Sequence, residues 1–229
     1  MMTYRVKTRR GEVGYIAKTQ HPPVLIVHGF RRSPTHLRVL RDWIPDLGFI
    51  PLPGHGGAPQ LDELSMEAWI EAWREAIPYA GPAPLLIGES LGAILAMSLP
   101  ARAVVAIEPL LSVKDLWPQH KLIREAQARG TVIDPAEVAL FERPYDFVLD
   151  NISAPTLVLA GDIPLLPERE LEDPPSLLTD EDFARYAAHP LVEAHRIPGG
   201  HTLLNEDAAG IMERVIQFFA RFPPPDQAP

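Results

Sequence analysis

The segment Gly88-Glu89-Ser90-Leu91-Gly92 sets a serine midway between two glycines, directly after the apolar run Leu85-Leu86-Ile87 and ahead of the small-residue stretch Gly92-Ala93-Ile94. This spacing suits a sharp strand-to-helix turn: the glycines let strand and helix approach closely, and the strained turn lifts the serine hydroxyl into the open. The chain has seven serines, and at its glycine frequency the chance of one entering the pattern by accident is only about 0.03. Ser90 is therefore read as a nucleophile rather than a polar turn residue. A serine hydroxyl attacks poorly until a base takes its proton, so a histidine must come within hydrogen-bond reach. Of the eight histidines, His201 is the best placed, in Arg196-Ile197-Pro198-Gly199-Gly200-His201, a glycine-permitted loop just past the last expected strand. His28 and His55 also sit at strand ends. Both precede the serine and are followed by glycine, which suits loop packing and hydrogen bonding better.

These residues need elements to position them. Thr3 to Thr8 and Glu12 to Lys18 read as strands of a hairpin around Arg9-Arg10-Gly11. Val24-Leu25-Ile26-Val27 is a continuous apolar run, as expected of a strand covered on both faces. Ser33-Pro34 opens a helix to about Trp43, with serine as N-cap and proline in the first helical turn. A weak strand at Phe49 to Leu52 precedes a helix capped by Ser65, with Met66, Trp69 or Ile70, Trp73 and Ile77 on one buried face. Strands follow at Pro84 to Ile87, Val104 to Ile107, Thr156 to Ala160 and Val192 to Ile197. Helices are expected from Gly92 to Leu99, after Thr179, and from about Asp207 to Phe222. Alternating strands and helices after a hairpin predict an α/β fold, a mostly parallel central sheet with helices on both faces and function at the carboxyl ends of the strands. Residues 111–150 interrupt this rhythm with two helices around Gly130 and Asp134-Pro135, a small helical lid over the site. Residues 1–222 read as one domain, and the proline-rich tail 223–229 as disordered.

Composition narrows the function. The 229 residues are 46% hydrophobic, enough for a sizeable core, and carry a net charge of −9. That charge offers no footprint for a polyanion apart from Arg5, Lys7, Arg9 and Arg10, a cluster expected to be a solvated edge, so no nucleic-acid partner is expected. The absence of cysteine removes disulfides, thiolate metal sites and cysteine nucleophiles together. No apolar run has the length to span a bilayer, and MMTYRVKTRR has no apolar signal core, so no membrane partner and a cytoplasmic location are expected. The acidic segment from Glu168 to Asp182 lacks the spacing of a calcium loop and reads as a solvated face.

From about residue 3 to 222 the chain resembles the α/β-hydrolase family. Val27-His28-Gly29-Phe30 is similar to that family's first oxyanion loop, Pro53-Gly54-His55-Gly56 to its next loop, Gly88-Glu89-Ser90-Leu91-Gly92 to its nucleophile elbow and Gly199-Gly200-His201 to its histidine loop, with Glu206 where many members carry a glutamate. The resemblance implies the α/β-hydrolase fold, the order nucleophile, acid, histidine, and an oxyanion hole made by the backbone N–H groups of Phe30 and Leu91. The acid departs from the pattern. Members usually carry an aspartate a few residues after a strand and glycine, whereas Ala160-Gly161-Asp162-Ile163-Pro164 offers Asp162 at once and a proline where the carboxylate commonly lies. Asp162 is the expected acid, and Glu108 in Ala106-Ile107-Glu108-Pro109, where some lipases of this fold place theirs, is the alternative. Arg31, beside Arg32, is a candidate to receive an anionic substrate group.

The expected function is hydrolysis of a small-molecule carboxylic ester through an acyl-serine, by Ser90, His201 and Asp162, with no metal or organic cofactor. Ester, thioester, amide and carbon–carbon substrates share this chemistry, as does acyl transfer. A ligand- or partner-binding protein on the same fold is the alternative of another class. An aspartate nucleophile, as in epoxide hydrolases and haloalkane dehalogenases of the family, is disfavoured by the serine at the elbow.

Overall fold

Thr8 and Gly11 pair across a two-residue turn at Arg9-Arg10, closing a hairpin of β1 (Met2–Thr8) and β2 (Gly11–Ala17). The computed structural model describes residues 1–113, 116–171 and 174–224, so most of the proline-rich tail lies outside the described residues. Arg9 and Arg10 are not merely solvated: they bond Glu75 and Glu71 at 2.6 Å each, tying the hairpin to α1 (Met66–Ala76).

Six more strands complete the sheet: β3 (Val24–Val27), β4 (Gly48–Ile50), β5 (Leu85–Glu89), β6 (Ala103–Ile107), β7 (Thr156–Gly161) and β8 (Val192–Ile197). The strand order is β1-β2-β4-β3-β5-β6-β7-β8. Pairing is antiparallel at β1–β2 and β2–β4 and parallel from β4 onward.

The apolar strands alternate faithfully between the two faces. Leu25, Val27, Leu86, Val104, Ala106 and Val158 join the core that holds α1 and α2 (Leu91–Met97), including the fully buried Trp69 and Trp73. Ile26, Ile87, Val105, Ile107, Leu157 and Leu159 join the opposite core, with Leu37 and Leu40 and the buried stripe Ile211, Val215 and Phe218 of α8 (Ala208–Phe219). Burial on both faces is why these strands read as unbroken apolar runs.

One expected helix is of a different type. The helix after Ser33 is a 3-10 helix, Pro34–Asp42, whose buried Leu37 and Leu40 lie three residues apart, matching the three-residue period of that helix. The last helix begins where expected, with Asp207 capping α8 by accepting the Gly210 N–H at 2.9 Å, and a short helix that was not expected, α7 (Leu203–Glu206), precedes it. Between β6 and β7 lie α3 (Trp117–Ala128), α4 (Pro135–Ala139) and α5 (Phe147–Asn151), one helix more than expected. Gly130, at φ 80°, follows α3, and Asp134 caps α4. Leu140, Phe141, Tyr145 and Val148 anchor this segment in the core, while α4 has no buried residue. The acidic segment is not uniformly solvated either. Asp182, in α6 (Asp180–Ala187), is buried and accepts a 2.8 Å hydrogen bond from the Ser112 hydroxyl. Glu172 and Asp173 lie outside the described residues.

Candidate active site

Ser90 stands at the carboxyl end of β5 with φ 55° and ψ −122°, a backbone conformation that residues other than glycine rarely adopt. Its surroundings enforce that conformation. A Cβ on Gly92 would come within 2.5 Å of the Val27 and His28 carbonyl oxygens, and one on Gly88 would meet the Gly92 oxygen at 2.5 Å. Only glycines allow β3, the turn and α2 to approach this closely, and the Ser90 N–H pins the turn to the end of β6 through the Ile107 oxygen at 2.9 Å.

His201 comes to the same edge from the loop after β8. Its N–H donates to the Pro174 oxygen at 3.0 Å, and Gly200 N–H donates to Glu206 at 3.0 Å. Thr202 adds a 2.7 Å hydroxyl bond to the other Glu206 oxygen, so this glutamate shapes the histidine loop. The imidazole Nε2 lies 3.2 Å from Ser90 Oγ, and Nδ1 lies 3.1 Å from Glu108 Oε2. A carboxylate only accepts, so Nδ1 carries the hydrogen and the Nε2 lone pair faces the serine hydroxyl.

The carboxylate on His201 is thus that of Glu108, and the expectation for Asp162 is corrected. Asp162 Oδ1 instead accepts the Gly199 N–H at 3.1 Å, supporting the loop two residues before the histidine from an exposed position. The physical reason lies in the ends of the strands. Glu108 follows β6 with a positive φ of 49°, and its side chain reaches across the end of β7. There it is fully buried and accepts from Gly161 N–H, from Leu177 N–H at 3.0 Å and from the Ser176 hydroxyl at 3.2 Å. Ser176 is in turn held by Arg196 at 3.1 Å, and Arg196 also bonds the Gly161 oxygen at 2.7 Å. The donors that keep a buried carboxylate satisfied are therefore at Glu108 and not at Asp162.

His28 behaves as its sequence position suggests. Its Nδ1–H donates to the Gly29 oxygen at 2.7 Å and its Nε2 accepts the Leu52 N–H at 3.2 Å, and burial lowers its pKa to about 4, leaving it neutral. His55 bonds the Pro53 oxygen at 3.0 Å and packs edge-on to Phe30.

A cavity of about 440 Å³ opens over Ser90 and His201, within the range of small-molecule sites. Its apolar wall is built from Phe30, Leu122, Ile123, Ile133, Val138 and Phe141, five of them from the segment between β6 and β7. Arg31 lies on its rim with φ 57°, but its guanidinium bonds Glu137 at 3.0 Å. Among the described residues, neither Phe30 N–H nor Leu91 N–H donates in the backbone hydrogen bonds of the turns and loops. Among the same residues no group of three His, Asp or Glu side chains could hold a metal ion, and no helix is long and apolar enough to cross a membrane. Sequence reading missed Ser176, Glu89 and Asn205 as site residues and named Arg32 only beside Arg31. Ser176 carries no local signal, whereas Glu89 lies inside the elbow motif itself.

Residues 24–214 match the family model described as the alpha/beta hydrolase family. The chain belongs to this family. Among solved structures of the same fold is the naproxen esterase (carboxylesterase NP) of Bacillus subtilis, with TM-score 0.69 and 18% identity over 95% of this chain and 91% of that one. An N-formylmaleamic acid deformylase from Pseudomonas putida S16 has TM-score 0.70 and 12% identity over 94% and 100%. A thioesterase domain from the curacin biosynthetic pathway has TM-score 0.63 and 16% identity over 94% and 99%. No curated protein matches the sequence. At these identities the likeness is one of fold, and the three names span different leaving groups.

Proposed function

We propose that the protein hydrolyses a small carboxylic ester through an acyl-serine intermediate. The observation that carries this reading is the unbroken line from Ser90 Oγ to His201 Nε2 and from His201 Nδ1 to Glu108, lying under one cavity at the ends of the strands. Ser90 Oγ attacks the ester carbonyl carbon while His201 Nε2 takes the hydroxyl proton. The carbonyl oxygen becomes an oxyanion, held by the N–H groups of Phe30 and Leu91. As the tetrahedral intermediate collapses, the carbon–oxygen bond breaks and His201 returns the proton to the departing alcohol. Water then repeats the sequence on the acyl-serine, giving the acid and restoring Ser90. Glu108 fixes the imidazole tautomer and stabilises the imidazolium in both halves. Residues 111–150 act as a lid whose apolar side chains receive the substrate, and Arg31 lies on the cavity rim, where its guanidinium bonds Glu137.

The test is turnover of matched ester, thioester and amide substrates by wild type and by Ser90→Ala. Ester cleavage that disappears in the variant supports the reading. No turnover of any class by folded wild-type protein would favour a binding protein on this fold.

A further inference from the structure

Beside Ser90, one guanidinium joins three segments, although the proton path does not pass through it. Arg32 closes the turn after β3, where its N–H donates to the Gly29 oxygen at 3.2 Å. Its Nη1 reaches Glu89 Oε1 in the elbow at 2.6 Å, and its Nη2 reaches Asn205 Oδ1 in α7 at 3.0 Å. The other Glu89 oxygen faces the Gly29 N–H at 3.4 Å. The connected pieces are the turn carrying Phe30 N–H, the elbow carrying Ser90, and the helix that follows His201. Glu89 is only 3% exposed, so the pair is largely withdrawn from water. Such a pair gives little stability over well-packed apolar side chains, and stability alone does not account for its place next to the nucleophile.

We propose that Arg32 is a positioning residue that clamps the oxyanion turn, the elbow and the histidine loop in their working geometry. This rests on the assignment of Ser90 and His201 as nucleophile and base. The planar fork of arginine suits the task, because N–H groups on two of its nitrogens meet acceptors on two different segments in a fixed plane, whereas lysine carries all its donors on one nitrogen at the end of a flexible stem. Its fork is engaged by Glu89 and Asn205. Its neighbour Arg31 lies on the rim and bonds Glu137 instead.

The test compares Arg32→Met, Arg32→Lys and the double variant Arg32→Met/Glu89→Gln, by thermal unfolding, ester kcat and KM, and the rate of covalent labelling by a fluorophosphonate. Arg32→Met is expected to lose melting temperature, because the buried Glu89 carboxyl loses its partner, and to lose kcat by about 10²-fold with KM little changed. The double variant regains melting temperature but not kcat, and Arg32→Lys keeps melting temperature with kcat still at least about tenfold down. A merely structural ion pair would instead return kcat together with melting temperature in the double variant, which overturns the clamp. Wild type that labels no faster than the double variant also overturns it, while the hydrolase reading stands. Wild type that takes no label at all overturns both.

Discussion

Replacing Glu108 by Gln removes one charge and almost no volume, so its effect is set by the hydrogen bonds around the side chain. One carboxylate oxygen accepts Gly161 N–H, and the other accepts Leu177 N–H, the Ser176 hydroxyl and His201 Nδ1–H. An amide cannot serve both sides. If its NH₂ faces His201, it opposes Leu177 N–H and forces the imidazole into the tautomer with hydrogen on Nε2, which cannot accept the Ser90 proton. If it faces Gly161, two N–H groups collide and the tautomer survives, but the negative charge that steadies the imidazolium is gone. The expected loss in kcat is on the order of 10⁴, or about 5.5 kcal/mol of transition-state stabilisation. Asp162→Asn retains an oxygen for the Gly199 N–H and should cost less than about tenfold, or about 1.4 kcal/mol. Steady-state kcat of both variants on one ester, with circular dichroism to show that each is folded, makes the comparison. Glu108→Gln within tenfold of wild type while Asp162→Asn is crippled would refute the assignment.

In a chain-length series of p-nitrophenyl esters, activity should peak at short to medium acyl chains, and Phe141→Ala should move the optimum to longer ones; an unchanged optimum would separate Phe141 from the acyl site. Gly161→Ala would bring a Cβ within 2.6 Å of the Gly200 oxygen and closer still to that of Gly199, so it should cost about 1–3 kcal/mol of stability and lower kcat by displacing the histidine loop. His28 has a folded pKa of about 4 against 6.5 for the free side chain, so between those values the unfolded chain binds more protons. Stability from this group is complete above about pH 6.5 and falls by about 3 kcal/mol as the pH drops to about 4, and urea melts across that window should show a shallower pH slope for His28→Asn.

Much of the fold is legible in the sequence because the central strands are covered on both faces and their apolar runs are unbroken. The elbow is equally legible, since Gly88, Ser90 and Gly92 act within five residues. The carboxylate partner of His201 is not. Glu108 and Asp162 each follow a strand, and what separates them is which one finds donors: Gly161, Ser176 and Leu177 lie 53 to 69 residues beyond Glu108. A local pattern carries no trace of that convergence. Arg32, beside the anion-receptor candidate Arg31, similarly shows no partner in the local sequence, because Glu89 and Asn205 are brought to it from two other segments. The four-residue α7 ahead of Asp207 is too short to show a helical period, so it is not legible either.

The central claim is that Ser90 is made nucleophilic by His201 and Glu108, and peptide mapping of the protein after treatment with a fluorophosphonate tests it most directly. A single covalent adduct on Ser90, formed by wild type, absent in Ser90→Ala and strongly slowed in Glu108→Gln, is the predicted result. An adduct on another residue, or equal labelling of Ser90 in wild type and Glu108→Gln, would contradict it.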